Sequence, residues 1–466
     1  MPPLRSRQLY WKNSSNLRSD HDRAKKPPAR SSRKMLAHQK GKKLKDNLLE
    51  AVTTQYLESG DFNGLSFHAI TRKFAISLEV LRNHLEELLK ADKIEVIYGD
   101  YHPNPHIKIF EGFKKEDQIK KLTNTELLQQ SCMYPSSSHL KDIVPEALFK
   151  DTPYSRELAL GAGQLDFRAF DVSVLEFYRN DPRYHYDNND INGWISVHDE
   201  FFETDKMASS DQALLESFGF CYTEQLDRAV AVFLRYLHDL SPEHQQIWKA
   251  KELVGEYELH PDYYRNSIIG DWGTRLSIFD AFIMELVIIN KMCTAMGKPP
   301  LFRNTFENSR PREFGFLLRP TLSEFNSFIH LLDKMMSDNL NKDFFKCDIE
   351  LEDEEVRKDG KIVVKPKGTI RLLQEWLGKN FTPIDPIPLV EMFTAFKRIR
   401  GLRQKPAHSI RENEFDQHYF KQQRLLMKEA YNAIRIIRLI FANYPQVVAN
   451  PPEVHELLYE GKIWDI

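Results

Sequence analysis

Apolar side chains recur at helical spacing three times between residues 46 and 93. The first run begins at Asp46 and ends near Gly60, and a second, shorter run follows Ser66. Ser77 then precedes a run of leucines, which predicts a third helix with this serine as its N-cap. We therefore expect three consecutive helices in this part of the chain.

A β-hairpin is predicted directly after the third helix. Residues 94–98 are rich in β-branched side chains, Gly99 and Asp100 favour a turn, and residues 107–110 provide the return strand. Three helices followed by a hairpin is similar to the order of a winged helix-turn-helix, whose recognition helix enters the major groove. We assign residues 46–113 to this module.

Six polar residues of this module are candidates for contacts with nucleic acid. Two belong to the third helix and have side chains that can read guanine or adenine edges, and the other four are placed for backbone contacts. They are Arg82 and Asn83, then Arg72, Lys73, His102 and Lys108. The third helix also carries Glu79, Glu86 and Glu87, which would repel phosphate. A structural or dimer-forming role for the module therefore stays open.

Helical periodicity dominates the chain from Gly273 onwards. It predicts helices at residues 274–296, 321–339, 369–380, 387–402 and 417–443, with a short hairpin around Asp359 and Gly360. Antiparallel helices with short connections favour a bundle. We assign residues 266–445 to this bundle and residues 446–466 to a C-terminal extension.

The middle of the chain, residues 114–265, has a mixed pattern whose role the sequence does not assign. An amphipathic helix is predicted at residues 223–240, next to aromatic-rich segments that favour strands. The expected fold is therefore mainly α: an N-terminal winged helix-turn-helix, a mixed α+β middle region and a C-terminal helical bundle.

Two predicted bundle helices meet at the sequence Leu402-Arg403-Gln404-Lys405-Pro406-Ala407-His408. An apolar helix precedes this segment and a long apolar helix follows it. An arginine followed by four residues and a histidine in this setting resembles the HEPN superfamily, named for nucleotide-binding proteins of higher eukaryotes and prokaryotes. Gln404 stands where many members have Asn, and Pro406 interrupts regular helix within the motif.

The resemblance implies a metal-independent endoribonuclease of toxin or defence type, without a cofactor, whose site is built across a homodimer. His408 would then act as general acid and base, Arg403 would stabilise charge on the phosphate, and Gln404 would orient it. The same spacing occurs at Arg33 and His38 in the basic tail, so spacing alone is uninformative. The alternative is a helix-capping pair in the dimerising bundle of a non-catalytic, DNA-binding regulator.

The net charge is −2, but the charged residues are unevenly distributed along the chain. Residues 1–45 contain 14 Lys and Arg against Asp20 and Asp22, and show no apolar period. A flexible basic arm on a nearly neutral body favours a polyanion partner, RNA or DNA, although a disordered solubilising tail explains it equally well.

The remaining sequence features argue against metal and membrane functions. The four cysteines are far apart, which is typical of a reducing cytosol and excludes a zinc knuckle. Residues 188–199 resemble a calcium-binding loop, but Asn188 and Asp199 replace its first and last acidic ligands, so we predict a turn into a strand. The most apolar stretch contains Asp280 and Glu285, which does not suit a membrane span. We expect no metal, no membrane contact and a cytoplasmic location.

Overall fold

The computed structural model describes residues 30–99, 114–202, 204–271, 273–356, 362–404 and 412–464. About 52% of the chain is helical and 16% is strand, and seven of the strands form one antiparallel sheet. The expectation of a mainly α fold is therefore wrong, and the protein is mixed α/β. Among the described helices, none combines the length and the apolar character needed to cross a bilayer.

The N-terminal elements share one core between helices and a three-stranded sheet. They are α1 (Arg30–Glu58), β1 (Leu65–Ser66), α2 (Phe67–Phe74), α3 (Leu78–Lys90), β2 (Ile94–Tyr98), α4 (Lys115–Lys121), α5 (Thr125–Gln129) and β3 (Ser131–Pro135). The hydroxyl of Ser77 accepts a hydrogen bond from the amide of Val80 at the start of α3, as its N-cap position predicts. The three predicted helices are confirmed, but α1 begins at Arg30, inside the segment of residues 1–45 that was predicted to be flexible.

Strand β2 is paired along its length with β3, which lies beyond two further helices in the chain. Val96 faces Met133 in this antiparallel register, and both side chains are fully buried. Gln118 of α4 accepts a hydrogen bond from the amide of Val96 at 2.8 Å, which fixes α4 against the strand. The return strand predicted at residues 107–110 lies outside the described residues.

The middle region is built around the seven-stranded antiparallel sheet. Its elements are α6 (Ser137–Ile143), α7 (Pro153–Ala159), β4 (Phe167–Phe170), α8 (Glu176–Arg179), β5 (Tyr184–Asn188), β6 (Asn192–Val197), β7 (Leu214–Tyr222), β8 (Arg228–Phe233), α9 (Leu234–His238), α10 (Pro242–Lys249), β9 (Glu252–Leu253), β10 (Glu258–Leu259) and α11 (Pro261–Tyr264). The strand order is β5–β6–β7–β8–β4–β9, and β10 pairs with β7. Strand β5 is thus at one edge.

The prediction of an amphipathic helix at residues 223–240 is wrong. Residues 228–233 form β8, and only residues 234–238 are helical. Strand β8 lies between β7 and β4, and all of its residues after Arg228 are buried. A strand covered on both faces has a continuous apolar run, which periodicity does not distinguish from a buried helix.

The C-terminal region has a helical core. Its elements are β11 (Leu276–Ser277), α12 (Ile278–Ala295), α13 (Leu322–Asp333), β12 (Glu352–Val356), β13 (Ile362–Pro366), α14 (Thr369–Asn380), α15 (Ile387–Gln404), α16 (His418–Ala442), α17 (Pro445–Ala449), α18 (Glu456–Tyr459) and β14 (Ile463–Trp464). The five predicted helices and the hairpin are confirmed; the hairpin tip with Asp359 and Gly360 lies outside the described residues.

The loop of residues 310–318 connects the helical core with the sheet. Phe314 and Leu317 pack into the helical core, whereas Phe316 and Leu318 pack against the core of the sheet. The loop is therefore held from both sides, and its charged residues have fixed positions between the two layers.

Candidate functional site

Arg403 lies in the last turn of α15, beside the π-helical turn of residues 334–338 that follows α13. Its guanidinium donates to the carboxylates of Asp333 at 2.6 Å and Asp338 at 2.5 Å. Arg400, one turn earlier, forms ion pairs with the same carboxylates at 3.1 and 2.7 Å. Two arginines and two aspartates therefore form a charge-balanced cluster.

The cluster favours the ionised forms of Arg403 and Asp338. Hydrogen bonds to Asp333 and Asp338 raise the pKa of Arg403 above its usual value. Burial acts to raise the pKa of Asp338, but hydrogen bonds from Arg403 and Arg400 bring it below the usual range. A phosphate that approached Arg403 would have to compete with two carboxylates that already hold the guanidinium.

His330 lies on the exposed side of α13, one helical turn before Asp333. Burial, together with the positive charges of Lys334 and Arg403, lowers its pKa, while Asp333 and Asp338 oppose that shift. Its imidazole is therefore neutral at pH 7 and able to accept a proton. Sequence reasoning did not select His330, since its one signal is the helical spacing to Asp333.

Of the other two residues of the predicted catalytic set, Gln404 is the one that the structure describes. Gln404 is exposed at the end of α15, and His408 lies outside the described residues. Where the described chain resumes, Asn413 accepts a hydrogen bond from the amide of Ser323 at 2.9 Å, in the first turn of α13. The described residues on either side of the motif therefore contact opposite ends of α13.

In the N-terminal region, Arg82 has an internal structural role. Its guanidinium donates to the carbonyl oxygen of Thr123 at 3.1 Å and to the hydroxyl of Thr125 at 2.7 Å. Arg82 therefore connects α3 to the start of α5, and these contacts occupy donors that a base edge would need. The sequence alone contained no signal for this contact, because it joins distant parts of the chain.

Three of the other candidate nucleic-acid contacts are accessible. Arg72 and Lys73 are exposed in the last turn of α2, and Asn83 is exposed on α3. His102 and Lys108 lie outside the described residues. One face of α3 and the end of α2 thus offer a guanidinium, an ammonium and an amide to solvent.

Two of the three acidic residues of α3 have a neighbouring lysine. Glu87 pairs with Lys45 of α1 at 2.8 Å, and Glu86 pairs with Lys90 at 2.5 Å. Their repulsion of phosphate is therefore weaker than the sequence alone suggests, since each carboxylate has a cation beside it.

The described residues contain no group of three or more His, Cys, Asp and Glu side chains arranged to hold a metal ion. In the loop that resembles a calcium site, the carboxylate of Asp190 instead accepts hydrogen bonds from Ser277 at 3.0 Å and Arg310 at 2.7 Å. Comparisons of the chain with family models, curated proteins and solved structures found no match.

Proposed function

We propose that this protein binds nucleic acid through a winged helix-turn-helix formed by the N-terminal elements. The observation that carries the proposal is the exposed pair Arg72 and Lys73 at the end of α2, together with the exposed Asn83 on α3. Cations at the end of the preceding helix suit phosphate oxygens, and an asparagine amide suits the edge of adenine. Helix α3 and strand β2 share one hydrophobic core, and Asn83 of α3 is exposed to solvent.

Binding is tested by fluorescence anisotropy with labelled duplex DNA and RNA over a range of salt concentrations. The double variant Arg72→Ala/Lys73→Ala should bind both nucleic acids more weakly than the wild type. The slope of the logarithm of the binding constant against the logarithm of the salt concentration should become shallower by about 1.8, or about 0.9 for each lost phosphate contact. Exposed Lys141 and Lys150, replaced together by alanine, provide the matched control. An unchanged slope in the first variant would overturn the proposal.

The nuclease proposal concerns the C-terminal region and rests on its similarity to HEPN proteins. In RNA, the 2′-hydroxyl would attack the adjacent phosphorus, and the leaving 5′-oxygen would take a proton. His408 would move these protons, Arg403 would stabilise the phosphoryl oxygens, and a second copy of the chain would complete the site. Support comes from the helical flanks α15 and α16, whereas the carboxylates of Asp333 and Asp338 compete with a phosphate for Arg403.

The same carboxylates favour a second candidate, a DNA-binding regulator whose helical region dimerises without catalysis. Asp333 and Asp338 neutralise the guanidinium that the nuclease needs. Total RNA incubated with the purified protein in EDTA separates the two candidates. Cutting by the wild type and by the control His418→Ala, but not by His408→Ala, supports the nuclease. Intact RNA combined with salt-dependent duplex binding supports the regulator.

A further inference from the structure

An arginine-lined cavity of about 70 Å³ lies between the edge strand β5 and the loop of residues 310–318. Three guanidinium groups, from Arg179, Arg310 and Arg312, line it together with Tyr186, Asp187 and Asn188 of β5. A cavity of this volume has room for several water-sized groups. A phosphate group, with five heavy atoms, has this size.

Two of the three arginines are held rigidly by carboxylates outside the cavity lining. Arg179 pairs with Glu324 at 2.8 Å. Arg310 pairs with Asp190 at 2.7 Å and with Asp280 at 2.9 Å, and its Nε donates to a backbone oxygen. These contacts use three of the five N–H donors of Arg310, so it retains donors for a ligand.

Arg312 supplies the positive charge that is not compensated. No carboxylate among the described residues forms an ion pair with it; its guanidinium donates to the carbonyl oxygens of Tyr184 at 2.9 Å and Arg179 at 3.5 Å. Asp187 is the only described carboxylate in the lining and is exposed on the edge strand. Because Arg179 and Arg310 are already paired with carboxylates behind the wall, the cavity is distinguished by its guanidinium N–H donors, which suit a ligand with several acceptor oxygens.

Three aromatic rings cluster at β5 and β6, on the strand face that also carries Asp187 of the cavity lining. The ring of His185 is 5.8 Å from that of Trp194 and 3.5 Å from that of His198, measured between centroids. Trp194 keeps 38% of its surface exposed. In the β5–β6 register Trp194 lies opposite Asp187, which places the indole beside a residue of the cavity lining. Burial, then His198 and then Arg312, lowers the pKa of His185.

We propose that the cavity and the rings together bind a nucleotide, with its phosphate among the three arginines and its base stacked on Trp194 and His185. Flat nucleobases stack on indole and imidazole rings, and guanidinium groups hold phosphate oxygens through paired hydrogen bonds. The residues belong to α8, β5, β6 and the 310–318 loop, so the site is independent of α3 and of Arg403. It assigns a ligand class to the sheet region, whose role the sequence left open.

Calorimetric titration of the full chain with adenosine 5′-monophosphate, adenosine and inorganic phosphate tests the site. The monophosphate should bind more tightly than either part alone. Arg312→Ala should weaken its binding at least tenfold, and Trp194→Ala should weaken it too. Arg319→Ala is the matched control, because Arg319 pairs with Glu176 at 2.5 Å outside the cavity lining, and it should bind like the wild type.

Asp187→Asn provides a variant with the opposite expected sign. Asp187 is exposed, so its replacement leaves the core intact, and loss of its negative charge should tighten binding of the monophosphate. No measurable binding by the wild type, unchanged affinity in Arg312→Ala or Asp187→Asn, or equal affinity for inorganic phosphate and the monophosphate would each overturn the proposal. His408→Ala should bind the nucleotide normally, which separates this site from the proposed nuclease.

Discussion

The guanidinium of Arg403 donates to the carboxylate of Asp333 at 2.6 Å, and the side chain of Asp333 has no exposed surface. Arg403 itself keeps 25% of its side chain exposed. This contact joins the last turn of α15 to the end of α13, with the anion inside the core and the cation at its boundary. This ion pair therefore fixes the position of the Arg403 guanidinium.

Replacement of Asp333 should destabilise the fold more than replacement of Asp338. Breaking a buried ion pair leaves uncompensated charge, so Asp333→Asn should lower the free energy of unfolding by about 3 kcal/mol. Asp338 is 41% exposed, and Asp338→Asn should cost about 1 kcal/mol or less. Urea unfolding of both variants measures the difference, and equal losses would contradict this ranking.

The pair Glu285 and Arg438 is buried in the helical core, at 2.5 Å, with 0% and 6% of the two side chains exposed. Either Glu285→Leu or Arg438→Met alone should lower the free energy of unfolding by about 3–5 kcal/mol, because each leaves one charge unpaired in the core. The double variant should recover most of that loss, since two apolar side chains need no partner. A double-mutant cycle by urea unfolding measures the coupling, and additive losses would argue against it.

Stability should fall in mild acid because of His260. Its side chain is almost fully buried, and that burial lowers its pKa from 6.5 to about 4. As the pH falls, His260 is therefore protonated in the unfolded chain before it is protonated in the folded protein. The stability that is present above pH 6.5 is lost as the pH falls towards 4. The loss is about 3 kcal/mol for a shift of this size. The variant His260→Asn retains a side chain that can cap the helix. Its free energy of unfolding in urea should fall less between pH 7 and pH 4.5 than that of the wild type. An equal fall in both proteins would refute this role.

Two glycines should respond oppositely to alanine. A Cβ at Gly219 would lie 2.2 Å from the ring of Tyr263, which is itself fully buried, so Gly219→Ala should destabilise by about 1–3 kcal/mol or more. A Cβ at Gly378, inside α14, would meet nothing within 4 Å. Gly378→Ala should therefore stabilise by about 0.5–1 kcal/mol. The two midpoints of urea unfolding should move in opposite directions.

Local patterns predicted the C-terminal helices and the cap at Ser77 well, because helical periodicity and N-capping depend on neighbours along the chain. The sheet was largely missed for the same reason. Strand β8 is buried on both faces, so its apolar run carries no alternation that marks a strand. The pairing of β2 with β3 was also missed, since two helices separate the strands.

The sequence by itself determined which side chains can ionise, cap or stack, and it determined the spacing of Arg403 and His408. Only the tertiary structure decided that Asp333 and Asp338 hold Arg403, that Thr125 holds Arg82, and that arginines from two separate segments line one cavity. These contacts join residues far apart in the chain. They depend on how the helical core and the sheet pack together, which no local periodicity encodes.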